Sequence, residues 1–366
     1  MNRLLFIIGI YFVSITSGQL NPENDIAGFT SPKQQCVCVE YFKCKTGVNP
    51  NEPAIDVRLG EKCTNILHVC CEPENLLSNP ETHPNARHVK CGKSNPNGVE
   101  FPVDDTKYNQ TKFGEFPWIV GLLQEQLYAK TNKTIFVYQC AGSLIHPQVV
   151  LTAAHCVMNR TISKLRVRAG EWDTQTTNEL YPHQDRYVNR IVMHDSFYAP
   201  ALHNDVALLF LTKPFMLDEH IDTVCIPNIN IRFNTDQCYG AGWGKNNFGG
   251  RYSVILKKLH LPLVERIGCL KALRRTRLGS RFQLHESFIC AGGEYEIDMC
   301  KGDGGSPLVC EMLDQPGHFQ QVGIVAWGIG CGEQKLPAAY VNVLWFRSWI
   351  DQQMALVGLN SSTYTY

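Results

Sequence analysis

The sequence lacks an excess of charge of either sign, because 34 Lys and Arg residues balance 34 Asp and Glu residues. A strongly basic chain would favour nucleic acid or an anionic membrane, so we expect neither as a partner. Internal repeats and low-complexity tracts are also missing. The apolar run from Leu4 to Val13 is shorter than the about 20 residues that span a bilayer, and no later run is longer, so we expect no membrane-spanning segment.

The first residues have the pattern of a secretory signal. Arg3 supplies a positive start, the run from Leu4 to Val13 is apolar, and Thr16 and Gly18 are small residues suited to cleavage. We therefore predict a signal peptide over residues 1–18 and an extracellular protein. The 366 residues are enough for about two domains, and a hydrophobic fraction of 44% supports a buried core.

The chain has 16 cysteines, an even number that indicates disulfides in a secreted protein. Zinc is the competing interpretation, but Cys36-Val37-Cys38 and Cys70-Cys71 lack zinc-ribbon spacing. We expect no metal and no cofactor. Four Asn-x-Ser/Thr sites are candidate glycosylation sites: Asn109, Asn132, Asn159 and Asn360.

The cysteines and the apolar pattern divide the chain. Six cysteines fall within residues 36–71, a segment too small to fold without disulfides, and they allow 15 pairings. Residues 72–112 are rich in Pro and Asn and are interpreted as a linker with little regular structure. Residues 113–356 alternate short apolar runs with turn residues, which predicts an all-β domain.

Within that domain five apolar runs are candidate strands: Trp118–Leu123, Ile135–Tyr138, Val149–Leu151, Val206–Leu211 and Gln321–Trp327. The segment from Val343 to Leu356 places Leu344, Trp345, Trp349 and Ile350 at helical spacing and predicts a terminal amphipathic helix. Residues 357–366 are left as a C-terminal tail.

Seven motifs of residues 113–356 resemble, in order and spacing, those of chymotrypsin-like serine proteases. They are Phe-Pro-Trp at 116–118, Cys-Ala-Gly-Ser-Leu-Ile at 140–145, Leu-Thr-Ala-Ala-His-Cys at 151–156, Asn-Asp-Val-Ala-Leu-Leu at 204–209, Gly-Trp-Gly at 242–244, Gly-Asp-Gly-Gly-Ser-Pro at 302–307 and Val-Ala-Trp-Gly-Ile-Gly-Cys at 325–331. The resemblance implies a double β-barrel with a C-terminal helix.

The segment of residues 36–71 resembles an arthropod clip domain, since its six cysteines end in an adjacent pair ahead of a protease-like domain. The two parts together look like a clip-domain serine protease homologue of the prophenoloxidase-activating factor group. The resemblance implies the disulfides Cys36–Cys70, Cys38–Cys63, Cys44–Cys71, Cys91–Cys225, Cys140–Cys156, Cys238–Cys310, Cys269–Cys290 and Cys300–Cys331.

By the same resemblance, His155 matches the general base, Asp205 matches the carboxylate that orients it, and Gly304 stands where the nucleophilic Ser belongs. Glycine has no hydroxyl, so it cannot form an acyl-enzyme. Ser306 is the nearest substitute in sequence, but a shift of two residues moves a hydroxyl by about 6–7 Å in an extended chain. We therefore predict an inactive protease in which His155 and Asp205 persist as a hydrogen-bonded structural pair.

Activation by cleavage is a second departure from the family. Family members are cut after Arg or Lys, and the new Ile or Val ammonium pairs with the Asp before the nucleophile, here Asp303. The corresponding new terminus is Val103, and it follows Pro102, after which a trypsin-like protease does not cut. Asp104-Asp105 replace the usual flexible residues, and Lys107 is at the wrong position. Asp303 therefore needs another partner, because an unpaired buried carboxylate is costly.

The specificity pocket is half preserved. Asp298 matches the acidic residue that selects Arg or Lys, and Gly328 lines the same slot. Ala338 stands where the family has Gly, which narrows the slot, and Ala326 replaces the usual Ser. Two interpretations stay open: a decoy that holds basic peptides, and an inherited pocket that is partly closed and unused.

Two loop features are candidate regulatory or binding sites. Arg58 lies in the long gap between Cys44 and Cys63, and exposed loop arginines are natural cut sites for trypsin-like proteases. The resemblance implies that cleavage in the clip region activates such homologues, so Arg58 is our candidate cleavage site. Glu171, Asp173 and Glu179 lie where some family members bind calcium, but their spacing matches poorly and metal stays unassigned.

The resemblance implies a secreted binding cofactor in prophenoloxidase activation, with prophenoloxidase and an activating clip-domain protease as partners in haemolymph. Self-association is also open. Two other classes of function remain: a decoy or adaptor in another extracellular cascade, such as Toll-type signalling or microbial recognition, and a weak trypsin-like peptidase with an unexpected nucleophile.

Overall fold

A computed structural model describes residues 37–40, 68–71, 73, 76, 90–99, 109–128, 133–177, 179–230, 232–245 and 250–366. The chain forms two compact units, residues 1–76 and residues 77–366. The predicted signal peptide, Arg58, Asn132 and the segment around Val103 lie outside the described residues. No helix in the described ranges is long and apolar enough to cross a bilayer.

The first unit contains one antiparallel strand pair. Strand β1 (Val37–Glu40) pairs with β2 (His68–Cys71), and Cys38 stands opposite Cys70. The three disulfides implied for this segment lie outside the described side chains, so they remain predictions.

The first sheet of the second unit is a closed antiparallel barrel in the order β3-β4-β5-β8-β7-β6. Its strands are β3 (Ile119–Tyr128), β4 (Lys133–His146), β5 (Val149–Thr152), β6 (Leu165–Ala169), β7 (Gln184–Met193) and β8 (Ala207–Leu211). A short helix α1 (Ala154–Val157) and a 3₁₀ turn (Ile162–Lys164) lie between β5 and β6. Every second residue of β6 is buried, as expected when one face of a strand meets the core.

The second sheet is antiparallel and barrel-like, with seven strands in the order β10-β9-β13-β14-β15-β12-β11. Its strands are β9 (Phe233–Gly242), β10 (Lys257–His260), β11 (Leu263–Val264), β12 (Phe288–Ala291), β13 (Pro307–Met312), β14 (Gln315–Trp327) and β15 (Ala338–Asn342). Helix α2 (Arg266–Arg274) precedes β12. The two sheets confirm the predicted all-β fold. The five predicted strands correspond to β3, β4, β5, β8 and β14, and the first residues of two of them, Trp118 and Val206, lie just before β3 and β8.

The terminal helix begins later than predicted. A 3₁₀ turn covers Val343–Phe346, and helix α3 (Arg347–Leu356) follows it, with a last 3₁₀ turn at Ser361–Thr363. The prediction that Leu344 and Trp345 share the apolar face is wrong, because their side chains are 39% and 59% exposed. A 3₁₀ turn has about three residues per turn, so it rotates these residues away from the face that Ile350 buries.

The segment before the barrel and the segment after the last helix both pack against the barrel domain. Tyr364 is fully buried, and its carbonyl accepts a hydrogen bond from the amide of Ile226 at 2.9 Å. Gly92 has a φ of +79°, and a Cβ there would stand 2.1 Å from the carbonyl oxygen of Phe319, so only glycine fits. Five disulfides close this unit: Cys91–Cys225, Cys140–Cys156, Cys238–Cys310, Cys269–Cys290 and Cys300–Cys331. They are the five pairs that the resemblance implies for this region.

Candidate functional site

The site is built around His155 on the short helix α1, which follows β5. Its backbone amide donates to Oδ1 of Asp205 at 2.7 Å, and its Nδ1 lies 2.6 Å from Oδ2 of the same carboxylate. Asp205 precedes β8 and is fully buried. Because the Asp205 carboxylate accepts the hydrogen bond at Nδ1, the Nε2 atom of His155 faces the opposite side, towards Gly304.

Gly304 lies in the loop between β12 and β13, directly against His155. A Cβ added to Gly304 would stand 2.7 Å from Nε2 of His155 and 3.6 Å from Sγ of Cys140. Real Cβ atoms essentially never approach a heavy atom that closely. The imidazole therefore occupies part of the space that a nucleophile side chain would need, and the histidine faces a backbone without a hydroxyl.

Ser306 does not replace the missing nucleophile. Its side chain is fully buried, and its Oγ lies 2.8 Å from the position of a Cβ on Gly242, on the interior side of the loop. Its amide donates to the carbonyl of Asp303 at 3.0 Å, which holds it in that turn. A hydroxyl sealed into the interior has no access to a peptide substrate.

The sulfurs of Cys140 and Cys156 lie with His155 within 4.8 Å of one another, a grouping that resembles a metal site. These two sulfurs are bonded to each other in a disulfide. Metal-binding cysteines are thiolates, so this group does not form a metal centre while the disulfide is intact.

By the family resemblance, Gly302 matches the residue whose amide lines the oxyanion hole. It has a φ of +99°, a backbone conformation that side chains disfavour, and Tyr252 packs against it so closely that a Cβ would stand 2.6 Å from Cε1 of the ring. The hydroxyl of Tyr138 donates to its carbonyl at 3.0 Å. The loop therefore keeps a fixed backbone form beside the histidine although the nucleophile is absent.

The partner of Asp303 is Lys257, a residue that the sequence analysis missed. The Nζ atom of Lys257 lies 2.6 Å from Oδ2 of Asp303, and both side chains are almost completely buried. The amides of Gly244 and Cys300 also donate to this carboxylate, at 2.7 and 2.9 Å. Burial raises the pKa of the Asp303 carboxyl, whereas the Lys257 ammonium lowers it.

The Asp303 carboxylate explains why the Gly-Trp-Gly motif needs glycine at both ends. A Cβ on Gly242 would stand 2.3 Å from Oδ1 of Asp303, and a Cβ on Gly244 would stand 2.4 Å from its Cγ. Lys257 pairs with Gly242 across strands β10 and β9. The sequence did contain a signal for the buried lysine. Two successive lysines, Lys257 and Lys258, follow the apolar residues Val254-Ile255-Leu256, and alternation along a strand turns one of the two inward.

The residues of the predicted slot do come together. Oδ2 of Asp298 accepts a hydrogen bond from the amide of Gly332 at 3.1 Å and lies 4.0 Å from the position of a Cβ on Gly328. The methyl of Ala338 lies 3.6 Å from that same position, so the two walls are close. Burial raises the pKa of the Asp298 carboxyl to about 6. The slot is therefore narrow, with a carboxyl group at its base.

Glu171, Asp173 and Glu179, which were considered as calcium ligands, contact other groups of the chain. Glu171 pairs with Arg168 at 3.0 Å, and Glu179 accepts from the amide of Asp173 at 3.0 Å. Asp173 turns its own oxygens to Gln175 and Thr176. Burial, followed by the hydrogen bond with Glu179 and its charge, raises the pKa of Glu171 to about 7, although Arg168 lowers it.

Three of the candidate glycosylation sites lie among the described residues. Asn159 and Asn360 are exposed, whereas Asn109 is half-buried and has a φ of +70°. These positions place Asn159 and Asn360 where a glycan meets solvent, and all four sites stay predictions.

Comparison with protein families matches both parts of the chain. Residues 106–350 match the family described as Trypsin, and residues 27–72 match the one described as Serine protease Clip domain PPAF-2. The first match covers most of the barrel domain, and the second covers the segment whose cysteines resemble a clip domain.

Individual relatives agree. Phenoloxidase-activating factor 2 of Galleria mellonella is 48% identical over 80% of this chain and 98% of its own length. Inactive CLIP domain-containing serine protease A8 of Anopheles gambiae is 38% identical over 88% of each chain. Tryptase of Mus musculus is 34% identical over 64% of this chain and 83% of its own. Both insect relatives cover a larger share of this chain than the mouse protein does.

Proposed function

Because this chain belongs to the trypsin family and carries a clip domain, we propose that it is a non-catalytic binding cofactor in an extracellular protease cascade, and that the cascade is prophenoloxidase activation. The observation that carries the proposal is the position of Gly304 against Nε2 of His155, where a nucleophile is required and no side chain exists. The barrel then acts by binding, not by hydrolysis.

The size of the catalytic loss supports a binding function. In a related catalytic triad, removing the nucleophile costs about 10⁶ in turnover, and the remaining oxyanion hole and substrate binding leave about 10³-fold over water. Residual hydrolysis at that level is too slow to drive a cascade, in which each enzyme molecule must activate many targets.

The relatives support the same direction. One relative that covers 80% of this chain is named a phenoloxidase-activating factor, and three others are named inactive CLIP domain-containing serine proteases. The clip domain and the numerous disulfides fit an extracellular protein. Haemolymph is the compartment that the proposal requires.

We assign the regulatory step to cleavage after Arg58. The cut would fall in the clip segment, where disulfides hold the two pieces together, and it would change a binding surface without releasing a catalytic centre. In this proposal the altered surface brings prophenoloxidase and its activating protease together.

Reconstitution with purified components tests the proposal. Prophenoloxidase and an activating clip-domain protease are mixed with the intact chain, with the chain cut after Arg58, with Arg58→Ala, or with Arg87→Ala, and phenoloxidase activity is followed. Arg87 is the matched control because it is the other arginine between residues 36 and 112. We expect a large rise with the cut chain and with Arg87→Ala after protease treatment, and no rise with Arg58→Ala.

Two outcomes would replace the proposal. An unchanged or lower phenoloxidase activity with the cut chain would favour a decoy or an adaptor in another cascade, and the partner recovered with the chain would then define its role. Labelling by a fluorophosphonate probe would instead indicate a peptidase with an unexpected nucleophile, and we expect none.

A further inference from the structure

The buried pair of Lys257 and Asp303 has a meaning beyond the cascade role. By the family resemblance, the carboxylate at the position of Asp303 is neutralised by the ammonium of a new N terminus, which exists only after cleavage. In this chain an ammonium from strand β10 already lies 2.6 Å from that carboxylate. We propose that Lys257 is a positioning residue that holds residues 298–306 in their ordered form in the uncut chain.

The contacts around the pair connect it to the whole loop. The carboxylate of Asp303 accepts from the amides of Gly244 and Cys300, and Nζ of Lys257 also donates to the carbonyl of Lys245 at 2.7 Å. Cys300 is bonded to Cys331, which precedes Gly332, and the amide of Gly332 donates to Asp298. One ion pair therefore anchors the Gly-Trp-Gly segment, the loop that carries Gly304 and the slot that has Asp298 at its base.

Because the Asp303 carboxylate is buried, the single ammonium of Lys257 is enough to hold its loop in place. A carboxylate in the interior is strongly unfavourable unless a charge and hydrogen-bond donors satisfy it, so its loop is held only while they stay in place. The Lys257 side chain is 3% exposed and its partner is fully buried, so water does not replace either contact. The consequence is a binding face that forms during folding, and a cut elsewhere in the chain is left free to serve as the switch.

Amide hydrogen exchange on the uncut chain tests this positioning role, and it needs no prophenoloxidase. The variant Lys257→Met keeps the length and apolar stem of the side chain but removes the charge. We expect exchange in residues 298–306 and 328–333 to become about tenfold faster or more, while the first barrel is unchanged, because local opening follows loss of the anchor. The double variant Lys257→Met/Asp303→Asn removes both charges, and we expect it to recover part of the protection.

Lys258→Met is the matched control, because Lys258 is the next residue on the same strand and pairs with the buried Glu115. It also removes a lysine from a carboxylate, yet it leaves Asp303 satisfied, so residues 298–306 should keep their protection. Equal acceleration in both variants, acceleration spread over both sheets, or no acceleration in Lys257→Met would overturn the proposal.

A measurement on the unaltered chain covers the case in which Lys257→Met fails to fold. Under native conditions an amine-acetylating reagent should modify Lys258, whose side chain is 37% exposed, about tenfold or more faster than the buried Lys257. Rapid acetylation of Lys257 in the uncut chain, or protection of residues 298–306 only after a cut, would contradict the proposal.

A second and independent observation is a segregation of charge around helix α2. Residues 266–285 contain six Lys or Arg residues and no Asp or Glu, although the whole chain is balanced. Their side chains are Arg266, Lys271, Arg274, Arg275, Arg277 and Arg281. We infer that residues 266–281, the basic surface, bind a polyanion that carries sulfate or phosphate groups.

The basic surface is held rigid from behind. Cys269 and Leu273 are buried, and Cys269 is bonded to Cys290 on β12. Nε of Arg274 donates to the carbonyl of Phe282 at 2.8 Å, which folds the chain after the helix back beside it. Arginine side chains carried on a fixed backbone lose less freedom on binding than those on a loose tail.

The outward side chains are exposed, and among the described residues they have no carboxylate partners. Lys271, Arg275, Arg277 and Arg281 are exposed, and within the described part of the chain the one ion pair of this segment joins Arg266 to Glu286. Cations near a helix C terminus favour the helix dipole, which accounts for one or two of them but not for four. The arginine fork matches sulfate and phosphate oxygens, so these groups fit the surface better than isolated carboxylates do.

Binding of the full chain to heparin, to polyphosphate and to polyglutamate tests the inference. The variant Arg275→Gln/Arg277→Gln/Arg281→Gln is compared with Arg160→Gln/Arg190→Gln/Arg251→Gln, which removes the same charge from exposed arginines elsewhere. We expect the first variant to bind heparin or polyphosphate about tenfold or more weakly and the second to bind almost normally, since exposed charges act mainly within a Debye length of about 10 Å.

The probe that the unaltered chain binds more tightly, heparin or polyphosphate, identifies the group as sulfate or phosphate. Equal weakening in both variants, no binding by the unaltered chain, or equally tight binding of polyglutamate, which would indicate an acidic protein partner, overturns the inference.

Discussion

The Nε2 atom of His155 lies 2.7 Å from the position that a Cβ on Gly304 would take. The His155 ring therefore occupies part of the space that a side chain at position 304 would fill. Restoring the serine requires the ring to move, which disturbs the hydrogen bond of its Nδ1 with Oδ2 of Asp205 at 2.6 Å.

We expect Gly304→Ser to stay inactive for this reason. The added side chain displaces the imidazole, and a catalytic pair misplaced by about 1 Å already loses about 10² in rate. Hydrolysis of a chromogenic arginine substrate and fluorophosphonate labelling measure the result. Gly304→Ala is the control, because it adds the same Cβ without a hydroxyl, and both variants should lose a similar amount of thermal stability. Substrate turnover by Gly304→Ser alone would contradict this expectation.

We expect Asp205→Ala to destabilise the chain, because we predict that His155 and Asp205 form a structural pair. The substitution leaves the amide and Nδ1 of the partly buried His155 without their acceptor, which costs about 1–3 kcal/mol in the free energy of unfolding. Denaturant unfolding measures this loss. The free energy of unfolding of Asp205→Asn, which retains one acceptor oxygen, should lie between those of the unaltered chain and Asp205→Ala. A free energy of unfolding that is unchanged in Asp205→Ala would show that the pair has no structural role.

Much of this fold and site was predictable because the motif residues meet strict local requirements. Gly242 and Gly244 surround the Asp303 carboxylate so closely that any side chain would collide with it, and the sequence carries that requirement as Gly-Trp-Gly. The all-β pattern was visible for the same reason, since buried strands need short apolar runs between turns.

What the sequence did not reveal depends on pairs of residues that meet only in the folded chain. Lys257 is one of two successive lysines in the sequence, and only the register of β10 against β9 places it on the interior side. The start of α3 at Arg347 was missed because the apolar pattern continues without interruption through the preceding 3₁₀ turn.

We expect Ala338→Gly to open the slot above Asp298. Removing the methyl separates the walls, so a benzamidinium cation should bind more tightly than it does to the unaltered chain. The Asp298 carboxyl has its pKa raised to about 6 by burial, so affinity should rise as the pH increases through about 6 and the carboxylate forms. Fluorescence of p-aminobenzamidine measures the binding, and Ala338→Gly/Asp298→Asn is the control that should not bind. Equal affinity at pH 5 and pH 7 would count against a carboxylate at the base of the slot.

The buried carboxyl of Glu171 gives the stability a defined pH dependence. Burial, followed by the neighbouring Glu179, raises its pKa from 4.5 to about 7. The folded chain then keeps this proton up to about pH 7, whereas the unfolded chain releases it near pH 4.5. The unfolded state binds fewer protons within that window, so the contribution of Glu171 to stability is full below pH 4.5 and declines as the pH rises to about 7.

We expect Glu179→Gln to reduce that decline. The amide preserves an oxygen for the amide of Asp173 but removes the charge that opposes ionisation of Glu171, so the pKa of Glu171 falls while the effect of burial remains. One pKa unit corresponds to about 1.4 kcal/mol, so the variant should gain about 1 kcal/mol over the unaltered chain at pH 8 and little at pH 5. Thermal and denaturant unfolding at both pH values measure the difference. Glu219→Gln, which alters an exposed carboxylate, is the control and should show no such change. A gain of the same size at both pH values would mean that Glu179 acts through packing and not through the charge of Glu171.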